Sequence, residues 1–334
     1  MKVFRAAVFG AALSLAALPS LVAAQGFPAR QIRIVVPYPA GGPTDALARI
    51  IARELQAGLS QSSVGQPSSG QPVIVENKPG ASGALGTREV ARAEPDGHTL
   101  VLGTNQTHAT NAFLLREPGY DPQKDFAPVA GVGDLQHALV VPKTLAAATV
   151  ADLIALAKRD PGKLNCGSTG VGSASHLTLE LFQTRTGTRM THVPFRGAAP
   201  MALEIVAGRI DCAFATVPSV LGQIEGGEMR ALALASDAPA PQLPTVPLLK
   251  QQGVTDSEGD AWLALFAPAA TPGPVRARLE GIVVAAMARP DVRDAAIRLG
   301  IAVNIRDGKA FASYLAAEMT KWREVVRVAG VKPD

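Results

Sequence analysis

At 334 residues the chain is long enough for two domains, and 47% apolar residues with 32 Gly and 26 Pro fit globular α/β structure and exclude a disordered or fibrous protein. The formal charge of +4 falls to +2 without Lys2 and Arg5, and no Lys/Arg run follows, so nucleic acid and anionic membrane are poor partner candidates. The two cysteines, Cys166 and Cys212, fit no metal-ligand spacing.

In residues 1–24, Lys2 and Arg5 precede an uncharged run from Ala6 to Leu21 and then Val22-Ala23-Ala24, the pattern of a secretory signal cleaved after Ala24. The run is short for a membrane span, and the expected product is an exported, periplasmic protein. An oxidising compartment permits a disulfide between Cys166 and Cys212, the alternative being two buried thiols.

The first mature half alternates strand and helix signals. Strands are expected at Ile32 to Val36, Pro72 to Val75 and Thr99 to Leu102, and helices at Thr44 to Leu59 and Gly83 to Ala93. This βαβαβ order of β-branched runs and helices indicates a parallel sheet covered on both faces. The polar stretch Gln61 to Gln71 reads as an exposed loop.

The loop after the first strand, Tyr38-Pro39-Ala40-Gly41-Gly42-Pro43-Thr44-Asp45, joins strand to helix. It exposes a helix N-terminus, whose unpaired N–H groups and dipole suit an anion, and its two glycines let a ligand approach the backbone. Ligands in open α/β sheets bind at carboxyl ends of strands, so the loops with Ala81 and Ser82 and with Thr104, Asn105 and Thr107 belong to the same candidate wall. For the last three, a turn that satisfies its own backbone is an equal alternative.

A crossing to a second lobe is expected between Ala127 and Val141. The second lobe repeats the order: strands at Leu164 to Gly167, Met190 to Val193 and Ile210 to Ala215, helices at Ala174 to Thr186 and Ala199 to Ala207, then a helix at Ser219 to Glu225. Its glycine loop, Ser168-Thr169-Gly170-Val171-Gly172-Ser173, runs into a helix that carries His176, and forms a second candidate anion cradle. Phe195, Arg196 and Thr216 follow the next two strands. Arg196 has two readings, a carboxylate clamp or an ordinary ion pair.

Arg230 to Ala235 reads as the return crossing, followed by a strand at Trp262 to Ala267 and helices near Pro274 to Ala288, Asp291 to Leu299 and Lys309 to Val328. In the last, Tyr314, Leu315, Met319 and Trp322 form a core stripe. The expected domains are residues 25–130 with 233–334, and residues 131–232.

Other chemistries lack their residues. Gly170-x-Gly172-x-x-Ser175 misses the third glycine of a dinucleotide loop and the acid at the next strand end, so no cofactor is expected. There is no G-x-S-x-G elbow, and Ser173 with His176 lies within one helix start, so an exported hydrolase is a weak reading and an enzyme is not expected. The five histidines are scattered, and no metal is expected.

Several segments together are similar to the tripartite tricarboxylate transporter receptors, the Bug family of TctC-like proteins. They are Val36 to Asp45, Val75-Glu76-Asn77-Lys78-Pro79-Gly80-Ala81, Pro95 to Leu100, Tyr120 to Phe126, Val193-Pro194-Phe195-Arg196-Gly197, Leu243 to Pro247 and Ala267 to Pro272. The resemblance implies a two-lobed periplasmic binding protein of the Venus flytrap, type II-like class, each lobe a mostly parallel sheet flanked by helices. It implies capture of a small organic anion, a carboxylate held by backbone groups and waters at the two glycine loops, and delivery to an integral-membrane permease. A sensor kinase as the partner is the alternative. Cys166 and Cys212 depart from the family pattern and leave pocket details near them open.

Overall fold

The computed structural model describes residues 26–61 and 71–331; the export segment and most of the stretch between Gln61 and Gln71 lie outside them. The first lobe begins with β1 (Ile32–Val36), α1 (Pro43–Gln61), β2 (Val73–Asn77), α2 (Ala84–Ala91), β3 (Thr99–Thr104), α3 (Asn111–Leu114) and β4 (Phe126–Leu135). The second comprises β5 (His137–Pro142), α4 (Val150–Arg159), β6 (Asn165–Ser168), α5 (Ala174–Thr186), β7 (Thr191–Pro194), α6 (Ala198–Val206), β8 (Cys212–Thr216), α7 (Val217–Glu225) and β9 (Met229–Leu234). The chain then returns through β10 (Ala261–Pro268), α8 (Gly273–Ala288), α9 (Pro290–Arg298), β11 (Arg306–Asp307) and α10 (Gly308–Ala329).

The sheets run β11-β4-β10-β3-β1-β2 and β7-β6-β8-β5-β9. Each has a parallel core with its first strand central, β3-β1-β2 and β7-β6-β8. The crossing strands β4, β5, β9 and β10 pair antiparallel, so both sheets are mixed. A strand that leaves one sheet and enters the other has no crossover helix to reverse it, which makes antiparallel pairing the direct solution. The sheet exchange falls at Gln136, beyond the boundary expected at residues 130/131, because β4 stays paired to β10 through Leu135. The return lies between Leu234 and Ala261.

Capping residues set the helix that matters most here. Ser173 accepts the His176 N–H at the start of α5, and Gly187 closes it in the left-handed conformation. α5 is apolar on two faces. Leu177 and Leu181 pack with Phe311, Leu315, Met319 and Trp322 of α10 in the first lobe, whereas Leu179 and Phe182 pack under the second sheet. A helix buried on both sides shows no single apolar stripe, and here it fixes the second lobe against the first. The stripe expected on α10 is the partner surface, with Trp322 fully buried and Tyr314 half-buried under the Arg306 guanidinium at 4.1 Å.

Cys166 and Cys212 lie opposite each other on β6 and β8, Cα atoms 4.6 Å apart, and are joined as a disulfide. They lie in the first half of their strands, with Cys166 two residues before Ser168 and Cys212 at the start of β8. Replacing both by Ala should lower unfolding free energy by up to about 4 kcal/mol in the chain-entropy treatment of a closed loop this long. Denaturant titration measures the loss, and labelling of two thiols in unreduced, denatured protein would contradict the linkage.

Candidate functional site

β1 and β3 deliver the first wall. Tyr38, just past β1, places its hydroxyl 2.6 Å from Thr104 Oγ1 and donates to Gln106 Oε1 at 3.2 Å. Asn77, at the end of β2, donates to the Tyr38 carbonyl at 3.1 Å. Three strand ends are thereby tied into one surface. Burial pushes the Tyr38 phenol well above its ordinary pKa, so it stays protonated and able to donate.

In the glycine loop Pro39, Ala40 and Gly41 are exposed, Gly42 is half-buried, and Thr44 and Asp45 are buried. Gly41 takes φ +87°, and its N–H donates at 3.0 Å to Asp45 Oδ2. Asp45 also pairs with Arg49 at 3.0 Å. Burial alone would raise the Asp45 pKa, but the Gly41 N–H, Arg49 and Asn77 outweigh it and hold the carboxyl below the ordinary range. The loop therefore spends one of its expected donors on itself. Among the described residues no backbone acceptor engages the N–H of Ala40 or Gly42.

Ala81 and Ser82 stand at φ 47° and 53°, the left-handed region that costs a non-glycine residue strain of order 1 kcal/mol. Both are exposed, and Asn111 Nδ2 holds the Ser82 carbonyl at 3.0 Å. Thr107 and Asn105 do not join this surface. Thr107 is fully buried, receiving the Thr104 N–H at 3.0 Å and lying 2.9 Å from His108 Nδ1, and Asn105 points to the Asp260 carbonyl at 3.3 Å. Of the two readings, Thr107 follows the one in which the segment satisfies its own backbone, and it does so at the start of a helical segment, Gln106–Thr110.

The second wall is built on β6, β7 and the start of α5. Ser168 Oγ lies 2.6 Å from His192 Nε2, and the His176 and His192 rings stack 3.7 Å apart. Phe195 N–H bonds the Ser168 carbonyl at 2.9 Å, bringing the Phe195–Arg196 turn beside the glycine loop. Arg196 is exposed and has neither hydrogen bond nor ion pair among the described residues, so the ordinary ion-pair reading does not hold in this conformation. Thr216 pairs with His137 at the exchange between sheets, and its carbonyl accepts Ser219 Oγ.

The expectation of an open backbone cradle on this loop needs correction. Thr169 N–H donates to Ser175 Oγ at 2.9 Å, Gly170 N–H to Ser168 Oγ at 3.2 Å, Gly172 N–H to His176 Nδ1 at 3.0 Å and Ser173 N–H to the Gly170 carbonyl at 3.2 Å. The serines and histidine that made the loop look like a polar wall are the acceptors that consume its donors.

The walls meet. A Cβ placed on Gly172 would come within 3.0 Å of Leu114 Cδ1 of the first lobe. A cavity of about 20 Å³ at this junction is lined by Ser82, Gln106, Asn111 and Leu114 on one side and Val171 and Gly172 on the other. Gln106, Asn111, Leu114 and His192 were not candidates in the sequence, since nothing in local spacing distinguishes them from core and turn residues.

Residues 51–331 match the sequence profile of the tripartite tricarboxylate transporter family receptor. The chain is 33% identical over 327 residues to protein BugT of Bordetella pertussis, covering 98% of this chain and 97% of that protein. Among solved structures, Rpa4515 of R. palustris with adipate aligns with TM-score 0.76 and 33% identity over 92% of this chain and 100% of the other. MatC of Rhodopseudomonas palustris with bound malate aligns with TM-score 0.72 and 32% identity over 90% of this chain and 100% of the other.

Asp45→Ala should unfasten the first loop. The expected result is faster hydrogen exchange at the Gly41 amide and a stability loss of about 1–2 kcal/mol, the scale of a charge-assisted hydrogen bond. Because the folded carboxyl lies below its unfolded value near 4, this contribution is present above that pH and disappears as pH falls through the depressed value. Unchanged Gly41 exchange in Asp45→Ala would contradict the clasp.

Proposed function

The chain belongs to the tripartite tricarboxylate transporter receptor family, and we propose from this premise that it is an exported receptor, cleaved after Ala24, which captures a small carboxylate between its lobes. It then passes the ligand to a membrane permease. Adipate with Rpa4515 and malate with MatC support the ligand class. The observation that carries the reading is the convergence of two loops, one from each lobe, on the same junction at the carboxyl ends of their strands. Unengaged N–H groups at Ala40 and Gly42 and the unpaired Arg196 supply positive potential around it.

A binding role also accounts for the serine–histidine pair with nucleophile-and-base spacing beside this junction. Ser168 Oγ and His192 Nε2 are in hydrogen-bond contact, but Ser168 is fully buried beneath its loop and no substrate carbonyl reaches it in this conformation. Its hydroxyl donates to or accepts from groups of the same loop, which makes it a brace. Tyr38, Gly42, Ser82, Ser173 and Arg196 are then the residues nearest the ligand, with Asp45 and His176 behind them.

Calorimetry or thermal shift with malate, adipate, tricarboxylates, aromatic acids and acidic amino acids tests the reading. A ligand at 100 times its Kd stabilises the fold by about 2.7 kcal/mol. Absence of any shift across the panel would overturn it. Ser173→Asp keeps an acceptor for the His176 N–H while adding negative charge to the loop, so carboxylate binding should vanish with the fold intact. Arg196→Ala should weaken binding by about 1–2 kcal/mol, the scale of a water-bridged contact. The reverse ranking would mean that a side-chain ion pair, not the loops, holds the anion.

A further inference from the structure

We propose that His176 is a positioning residue which holds the second glycine loop only while its imidazole is neutral, so that protonation releases the loop and weakens ligand capture. The inference rests on the receptor reading above, but the state of the loop can be measured without any ligand.

The geometry fixes the chemistry of the ring. His176 Nδ1 lies 3.0 Å from the Gly172 N–H, a donor, so Nδ1 carries a lone pair. In the neutral imidazole the proton is then on Nε2, on the side of Glu180 Oε1 at 3.6 Å. Adding a proton at Nδ1 turns acceptor into donor and sets two N–H groups against each other. Gly172 cannot relax in place. It stands at φ +73°, with Leu114 of the first lobe against it, so loss of the bond displaces the loop at the junction of the two walls.

Two titratable groups face the ring. Glu180, on the same helix, lies 3.6 Å from Nε2, and His192 on β7 stacks on the ring at 3.7 Å and 12° between planes. His192 itself is pushed down to about 4 by burial and by His176, so it remains neutral through the range in which an imidazole ordinarily charges. α10 meets α5 through Leu177 and Leu181, and β6 and β8, which also pack on α5, carry no acidic or basic side chain. Ser168 anchors His192 from β6 and keeps the stack in place. A proton added to the neutral ring goes to Nδ1, and there it removes the bond to the loop.

Two measurements on the full mature chain test this. The first follows the Gly172 amide by NMR in the ligand-free protein between pH 7.5 and 5.5; its shift and its protection from exchange should change together with the His176 ring signals. The second compares calorimetric affinity for malate and adipate at the two pH values in the native protein and in His176→Asn and His176→Ala. Asn places Oδ1 where Nδ1 stood but does not titrate. The native affinity should fall by up to about tenfold over this window, the scale of one lost hydrogen bond. In His176→Asn the dependence should shrink to that of the ligand's own carboxyl groups, which is common to all three proteins and cancels in the comparison. His176→Ala should bind more weakly than His176→Asn at both pH values. A Gly172 amide indifferent to the His176 titration overturns the proposal, as does a pH dependence that survives in His176→Asn. Failure of all three proteins to bind any carboxylate while the Gly172 amide still titrates overturns the receptor reading and leaves the switch standing.

Discussion

Everything at the cleft hangs on two chain crossings, and these are held by a buried carboxyl. Asp260, at the end of the return segment, accepts the Ser236 hydroxyl with one oxygen and the His137 N–H at 3.2 Å with the other. Gln136, the single residue between β4 and β5, donates to Ser236 Oγ at 2.8 Å and to the Ala238 carbonyl at 2.7 Å. Its own carbonyl receives the Val217 N–H at 2.9 Å. Backbone that leaves one sheet for another loses its ladder partners, and an unpaired buried N–H or C=O costs about 1–3 kcal/mol. Asp260 and Gln136 supply those partners where the two crossings come together.

The same place concentrates acids. Asp134 is held by Asn304 at 2.8 Å, and Glu318 Oε2 receives both Trp262 Nε1 at 3.1 Å and Trp322 Nε1 at 2.8 Å. Together with Lys321, Arg306 and Tyr314 they line a cavity of about 330 Å³ on the first-lobe side of the crossings. Burial raises the Asp260 and Asp134 carboxyls; repulsion from Asp134 raises Asp260 further, and repulsion from Glu318 and Asp237 raises Asp134. Two buried carboxylates in one network resist sharing full charge, so the crossings are fastened by hydrogen bonds more than by ion pairing. The rigidity continues into α5, whose Thr178 hydroxyl donates to the Gly259 carbonyl at 3.0 Å, next to Asp260. A Cβ on Gly259 would fall 2.2 Å from that hydroxyl, so the helix and the crossing are in direct contact.

Local signals made much of this visible in the sequence. α5 begins and ends where Ser173 and Gly187 predict, and the β1–α1 turn follows from Val36, the glycines and Pro43, because caps and positive-φ positions are decided by neighbours in the chain. α4 begins with a capping box at Thr149 and Asp152, a signal carried by the local sequence alone. The crossings were placed only approximately, since Asp260, Gln136 and Ser236 are separated by up to 124 residues and no periodicity relates them. In the site, the loops were recognisable from glycine and strand ends. The direction of their N–H groups was not, because whether Ser168, Ser175 and His176 face a ligand or their own backbone depends on side-chain geometry that spacing does not encode. His192 was invisible for the same reason: it reaches the loop across β6, through Ser168.

The two walls consequently differ in readiness. On the first lobe, Asp45 fastens Gly41, and the amides of Ala40 and Gly42 have no backbone acceptor among the described residues. On the second, the N–H groups of Thr169, Gly170, Gly172 and Ser173 are already matched by the loop's own serine, histidine and carbonyl acceptors. A ligand that draws on those donors must exchange one hydrogen bond for another, with little net gain per bond. On the proposed binding role, affinity from the second lobe would come chiefly through closure and the exclusion of water at the junction of Gly172 with Leu114, with Arg196 adding a smaller share. Discrimination among carboxylates would then rest on what the junction residues Ser82, Gln106, Asn111 and Val171 allow to fit, because a self-satisfied loop attracts all small anions weakly and shape decides among them.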